Sequence, residues 1–230
     1  MYSYSTLHNY NICNKRYYFK HIEQLEYGEN RFMEKGKNFH KFAKAFYDDY
    51  NKIIEDGLDP NKLLGFVADS ENVQLDNIYR QFIKNELKRL SKYKTLPKLY
   101  PKYKVNGQID GYDLIGTIDL LEEHPNNNYI ILGLKTKKPA KVAPFRRQLG
   151  IYQMLLMNNN ATIDNVDVGV YFYGTKNYWN ETLSPKSLEM TRFWIQKTIG
   201  EIESGNYESS PSVFNCKYCV YKKSCEDRII

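Results

Sequence analysis

Cys216, Cys219 and Cys225 form a C-x2-C-x5-C run late in the sequence, and the fourth cysteine, Cys13, stands near its beginning. A two-residue gap lets neighbouring thiolates turn toward one centre. The set therefore fits a structural zinc or a four-iron four-sulfur cluster, and spacing does not separate the two. Free cysteines used as plain core filling are the competing explanation, the weaker one for three cysteines so clustered. A second set lies in "GTIDLL", "ILGLKTKK" and "RQLGIYQ": Asp119 inside an apolar run, Gly133 two places before Lys135, and Gln148 four before Tyr152. Strand side chains alternate, so positions 133 and 135 point the same way, and residues four apart on a helix share a face. An unpaired carboxylate is costly to bury, which favours a ligand role for Asp119.

These residues need elements to position them. Phe39, Phe42, Ala43, Phe46, Tyr47 and Tyr50 recur at helical spacing and predict an amphipathic helix over 34–55, which carries His40. After the break at "DGLDP", Leu75, Ile78, Tyr79, Phe82 and Leu87 predict a second helix over roughly 71–92. Residues 4–24 read as a short helix entered at Ser5, followed by an aromatic and basic segment. From residue 96 the period changes to that of three strands, turning at Asp110-Gly111 and at "HPNNN". A helix over "FRRQLGIYQMLLMNN", a strand over "VDVGVYFYG" and a helix over 184–204, with Pro185 in its first turn, complete the pattern. That order predicts an α/β architecture, a small mixed sheet covered by helices.

The formal charge of +6 is modest but unevenly placed. Lys98, Lys102, Lys104, Lys135, Lys137, Lys138, Lys141, Arg146 and Arg147 crowd the central region, as a surface for a polyanion or a plain solvated basic face would. No apolar stretch is long enough to span a bilayer, and "MYSYSTLHNYNIC" lacks the layout of a secretory signal. A soluble, cytoplasmic protein is expected, where reduced cysteines favour metal binding over disulfides.

Six segments in this order resemble the RecB-like nucleases of the PD-(D/E)xK superfamily, and within them the iron-sulfur exonucleases associated with CRISPR adaptation. They are "YSYSTLHNYNICNKRYYF", "GKNFHKF", "GTIDLL", "ILGLKTKK", "QLGIY" and the three late cysteines. The resemblance implies a restriction-endonuclease-like sheet in one domain over 1–230, with a helical insertion at 41–97. It also implies a segment at 205–230 whose cysteines join Cys13 in a 4Fe-4S cluster. It implies Mg²⁺ or Mn²⁺ held by His40, Asp119 and the backbone carbonyl of Leu134. Lys135 would act on the attacking water or the transition state, and Gln148 and Tyr152 would steady Lys135 and the DNA backbone. Lys137, Lys138, Arg146 and Arg147 would meet DNA, single-stranded or with free ends. Adaptation or recombination proteins would be partners, in CRISPR spacer acquisition, repair or viral genome processing.

The chain departs from that pattern at Gly133, where the family places a metal-binding acid. Glu123 shares the parity of Asp119 on a regular strand but would lie about 13 Å away, and Glu122 would point to the other face. A more distant acid such as Glu86 stays open as a replacement. Glycine also weakens a strand interior. Three explanations remain: a substitution introduced to disable cleavage, natural decay into a silent DNA-binding protein, or a site that tolerates the loss. A zinc-bound interaction module, with the cysteines as its whole chemistry, is the third functional alternative.

Overall fold

A computed structural model of the chain describes residues 1–26, 31–59, 77–136, 142–173 and 177–229. Helix α1 runs over Tyr4–Ile12 and α2 over Asn14–His21. The cap of α1 is Ser3, whose side chain accepts a hydrogen bond from Thr6 N, rather than Ser5, which lies inside the helix. The aromatic and basic segment after α1 is itself helical, as α2, and the two helices are separated at Cys13, which is extended at φ −166°. Strand β1, Tyr2–Ser3, precedes these helices. Helix α3 covers Arg31–Glu55 and α4 covers Asn77–Leu90, so the expected 71–76 portion of the latter lies outside the described residues.

The long hairpin comprises β2, Lys98–Ile109, and β3, Tyr112–His124, with Asp110 and Gly111 both at positive φ in the turn. Strand β4 is Asn128–Lys135, α5 is Ala143–Asn159 and β5 is Asn165–Phe172. The edge strand β6, Asn177–Thr182, was not expected from its polar letters and is held by an antiparallel ladder to β5. Helix α6, Pro185–Glu203, is capped by Ser184 as its sequence predicts, and a short α7, Val213–Lys217, ends the elements.

The sheet is mixed, as expected. Strand β3 pairs antiparallel with β2 and β4, β4 pairs parallel with β5, and β1 pairs parallel with β3. One face packs on α1, α5 and α6 through Leu7, Ile118, Leu121, Ile131, Leu149, Leu155 and Ile195. The other packs on α3 and α4 through Phe39, Tyr47, Phe82, Leu99, Leu120, Leu132 and Leu134. Such burial of apolar surface on both faces is the main stabilising term of the fold.

Those two lists expose an irregularity that positions the site. Ile118 and Leu120, two residues apart on β3, pack on opposite faces of the sheet. On β2, Leu99 and Val105 do the same, although an even spacing should keep them together. The register is unchanged on either side, Pro101 opposite Leu120 and Tyr103 opposite Ile118. Both strands therefore reverse face at one rung, between Lys102 and Asp119. Lys102 takes a left-handed φ of 55° at this rung, a conformation that costs energy for a residue with a Cβ.

Candidate active site

Asp119 stands where the sheet opens. Strands β3 and β4 are paired from His124–Asn128 to Leu120–Leu132 and no further. In the gap beyond, Asp119 Oδ2 accepts the backbone N–H of Leu134 at 3.0 Å, so the carboxylate replaces a rung of the ladder. Lys135 Nζ lies 3.5 Å from the same oxygen and 5.8 Å from the centre of the Phe145 ring. Lys102 Nζ donates to Oδ1 at 2.7 Å. The parity argument that related Glu123 to Asp119 fails here because of the face reversal: Glu123 accepts from Tyr100, on the opposite side. Glu86 does not replace the missing acid among the contacts seen: it is buried against Arg89, Tyr47 and Tyr173.

His40, on α3, brings Nδ1 to 3.4 Å from Asp119 Oδ1. That nitrogen is buried, and the approach is not in hydrogen-bond geometry, so it has no hydrogen-bond partner. Burial pushes the His40 imidazole below its ordinary pKa, more than Asp119 raises it. Burial pushes the Asp119 carboxyl up, but Lys135, His40 and Lys102 together pull it below its ordinary value. Asp119 is thus ionised at neutral pH, and His40 neutral, the form in which imidazole can bind a cation.

Helix α5 supplies the other expected pair. Gln148 Nε2 donates to the Tyr152 hydroxyl at 3.1 Å, and burial raises the Tyr152 pKa. The ring reaches the strand because residue 116 is glycine: a Cβ there would lie 2.3 Å from Tyr152 Cε1. No direct bond joins Gln148 or Tyr152 to Lys135 among the contacts described. Arg146 is held by Glu181 in a two-pronged ion pair at 2.5 and 2.7 Å and lies over Trp179. Arg147 stacks on Trp194 at 4.7 Å. Lys137 and Lys138 lie outside the described residues. Lys102 is the residue that sequence reasoning counted only as part of a basic cluster. Its sole sequence signal was its place opposite Asp119 in the hairpin.

Gly133 has the space that an acid would need. An added Cβ would touch Val170 Cγ2 at 3.7 Å, Gly169 O at 3.8 Å and Lys135 Cε at 3.8 Å, all ordinary contacts. Its φ is not in the left-handed region, so no backbone strain demands glycine.

The four cysteines, all free, converge although they come from opposite ends of the sequence. One cavity is lined by Cys13, Cys216, Cys219 and Cys225, with Arg16, Lys222 and Arg228 around them. Around it, Ser210 N approaches Cys13 Sγ at 3.5 Å and Asn215 Nδ2 donates to Ile12 O at 3.0 Å. Burial pushes the Cys225 thiol up. Among the described residues, no three His, Cys, Asp or Glu form a group that could hold one metal ion.

The chain matches the PD-(D/E)XK nuclease superfamily over residues 1–226. It belongs to that superfamily. No curated protein matches the chain. Among solved structures, SSO0001 is 17% identical, with 74% of this chain and 80% of that one covered and a TM-score of 0.40. A protein from Eubacterium rectale, named provisionally as an exonuclease, is 11% identical, with 90% and 83% covered and a TM-score of 0.48. PD-(D/E)XK nucleases generally use Mg²⁺ or Mn²⁺ on DNA. No helix among the described residues is long and apolar enough to cross a membrane.

A divalent ion is a partial fit to the residues present. The unpartnered His40 Nδ1 facing Asp119 is the arrangement that a shared cation would satisfy. Against it, among the described residues Asp119 is the one carboxylate beside His40, Lys102 and Lys135, whereas hard dications take several oxygen ligands.

Proposed function

We propose that this chain is a DNA nuclease of the metal-dependent kind, acting on single-stranded DNA from free ends, with its hydrolytic step weakened by Gly133. The observation that carries the reading is the opened sheet: Asp119 and Lys135 face each other across the gap, His40 stands beside them, and Gly133 leaves room for a carboxylate next to Lys135.

His40 and Asp119, with the carbonyl of Leu134, are the groups that would hold Mg²⁺ or Mn²⁺. The chemistry such an ion would supply there, when bound, is activation of water and neutralisation of charge on the scissile phosphate. The rest is done by the chain. The Leu134 N–H fixes the Asp119 carboxylate at one orientation. Lys135, its amine 3.5 Å from that carboxylate, supplies positive charge where negative charge grows on the phosphate oxygens. Gln148 and Tyr152 form a pair on α5 that would position Lys135 and the strand beside it.

We read the cysteine cavity as the seat of a 4Fe-4S cluster, because four cysteines from distant parts of the sequence line it. Such a cluster would close a loop from Cys13 to Cys225 and act on stability. A brown, iron-containing anaerobic preparation is the expected result, and a colourless one with zinc would favour the interaction module.

A second reading, a silent DNA-binding protein on the same fold, is favoured by the saturation of Asp119: both carboxylate oxygens are already met by cationic or N–H donors. Linear and circular single-stranded DNA, incubated with the Gly133→Asp protein and Mn²⁺, separate these readings. Trimming of the linear form alone is expected. Cleavage of circles would overturn the end requirement, and cleavage of neither would leave the silent protein.

A further inference from the structure

Beside Asp119 lies a basic trough that the reading above does not use. It is lined by Gly36, Lys37, His40, Lys41, Lys44 and Lys102. The first five sit on one stripe of α3, because a helix advances about 100° per residue. Lys37, Lys41 and Lys44 are exposed. Lys102 arrives from β2, turned to the α3 side by its left-handed backbone. Acids among the described residues also meet this stripe: Asp48 is paired with Lys44 at 2.5 Å, and Asp119 stands at the inner end.

Gly36 is the second observation. It lies inside α3, where glycine is a poor helix former. Among the described residues a Cβ at this position would meet nothing within 4 Å, and its φ is not in the left-handed region. Neither packing against the described residues nor backbone conformation requires glycine there. What a missing side chain does supply is close approach of a ligand to the helix surface.

We propose that this trough carries the sugar-phosphate backbone of the nucleic-acid strand leading to the Asp119–Lys135 gap. Lys37, Lys41 and Lys44 meet successive phosphates, the backbone passes over Gly36, and Lys102 stands at the junction between the trough and Asp119. The proposal rests on the nuclease reading for the identity of the polyanion. The contacts are to phosphates, so they position the strand without reading its bases.

Fluorescence anisotropy tests it, with a labelled single-stranded oligodeoxynucleotide, EDTA present and a salt series. The full chain is compared with Lys41→Ala, Gly36→Ala and, as a control on α6, Lys197→Ala. Lys41→Ala is expected to reduce the slope of log affinity against log salt by about 0.7, one phosphate's worth on a single strand. Gly36→Ala is expected to weaken binding severalfold while raising the melting temperature, because alanine is the better helix former. Lys197→Ala should match the parent. Parental binding by both trough variants would overturn the proposal, as would a parent that does not bind. Loss of binding by Gly36→Ala together with a lower melting temperature would make Gly36 structural and remove the trough floor. The nuclease reading fails separately: if Gly133→Asp does not cleave while the trough variants still lose affinity, the trough stands and the nuclease falls.

Discussion

Two clusters of charge sit three residues apart on β3, and they are built to opposite ends. Around Glu122, Arg89 bonds both Glu122 and Glu86, while Tyr47, Tyr93, Tyr173 and His124 take up remaining lone pairs. Both carboxylates are fully buried. Around Asp119, one carboxylate faces two lysines and a histidine, all partly open to solvent. The first cluster has every group answered from within the protein. Among the described residues the second has a surplus of positive charge and a His40 nitrogen without a hydrogen-bond partner, an arrangement open to a group from outside. A buried ion network that is closed serves the fold, and one left open serves a ligand.

The comparison breaks most severely at Arg89. Arg89→Met should cost about 3–5 kcal/mol, because it strands two buried carboxylates, and urea unfolding measures it. An intermediate effect is expected from Gly116→Ala, which drives a Cβ into the Tyr152 ring. About 1–3 kcal/mol should be lost, with the Gln148–Tyr152 pair displaced. Asp119→Asn should cost only about 1 kcal/mol of stability, since its lysine partners can turn to water. The same change should tighten DNA binding in EDTA by about fivefold, the scale of one removed repulsive charge near a phosphate. Equal stability losses at Arg89 and Asp119 would erase the distinction between the clusters.

Acid sharpens it further. Burial pushes the Glu122 carboxyl up, but Arg89 and His124 outweigh it and hold the group below its ordinary pKa. A depressed carboxylate contributes stability that is present above its unfolded pKa, about 4.3, and is lost as pH falls through the folded value. Stability measured from pH 7 downward should therefore fall mainly below about pH 4.5. Glu122→Gln should flatten that acid limb, and an unchanged slope would contradict the closed-network account. The smallest expected effect is at the cysteines' surroundings: Arg16→Gln should leave melting nearly unchanged, whereas Cys219→Ser should lower it if a cluster joins the chain ends.

Most of the sheet and its covering helices were legible, because apolar periodicity of 2 and 3.6 dominates 34–55, 98–135 and 143–203. The cap at Ser184 and the turn at Asp110-Gly111 carried their own local signals. Strand β6 was missed because "NYWNET" is a polar edge sequence whose pairing is set by β5. The face reversal at Lys102 and Asp119 was missed for a deeper reason. Parity arguments assume an unbroken pleat, and a single lysine in the left-handed region carries no sequence mark. That reversal is why Lys102 joins the site and why Glu123 does not share the face of Asp119. Lys135, Asp119, His40 and the Gln148–Tyr152 pair were all placed by motif, and the structure brings the first three together.

The most direct measurement is Mn²⁺-dependent degradation of linear single-stranded DNA by the parent chain and by Gly133→Asp, at equal concentration and with equal folding by circular dichroism. The account predicts a rate higher by orders of magnitude in the substituted protein, abolished by EDTA and by Lys135→Ala. Equal rates in the two proteins would contradict it, because position 133 would then be no part of the active site.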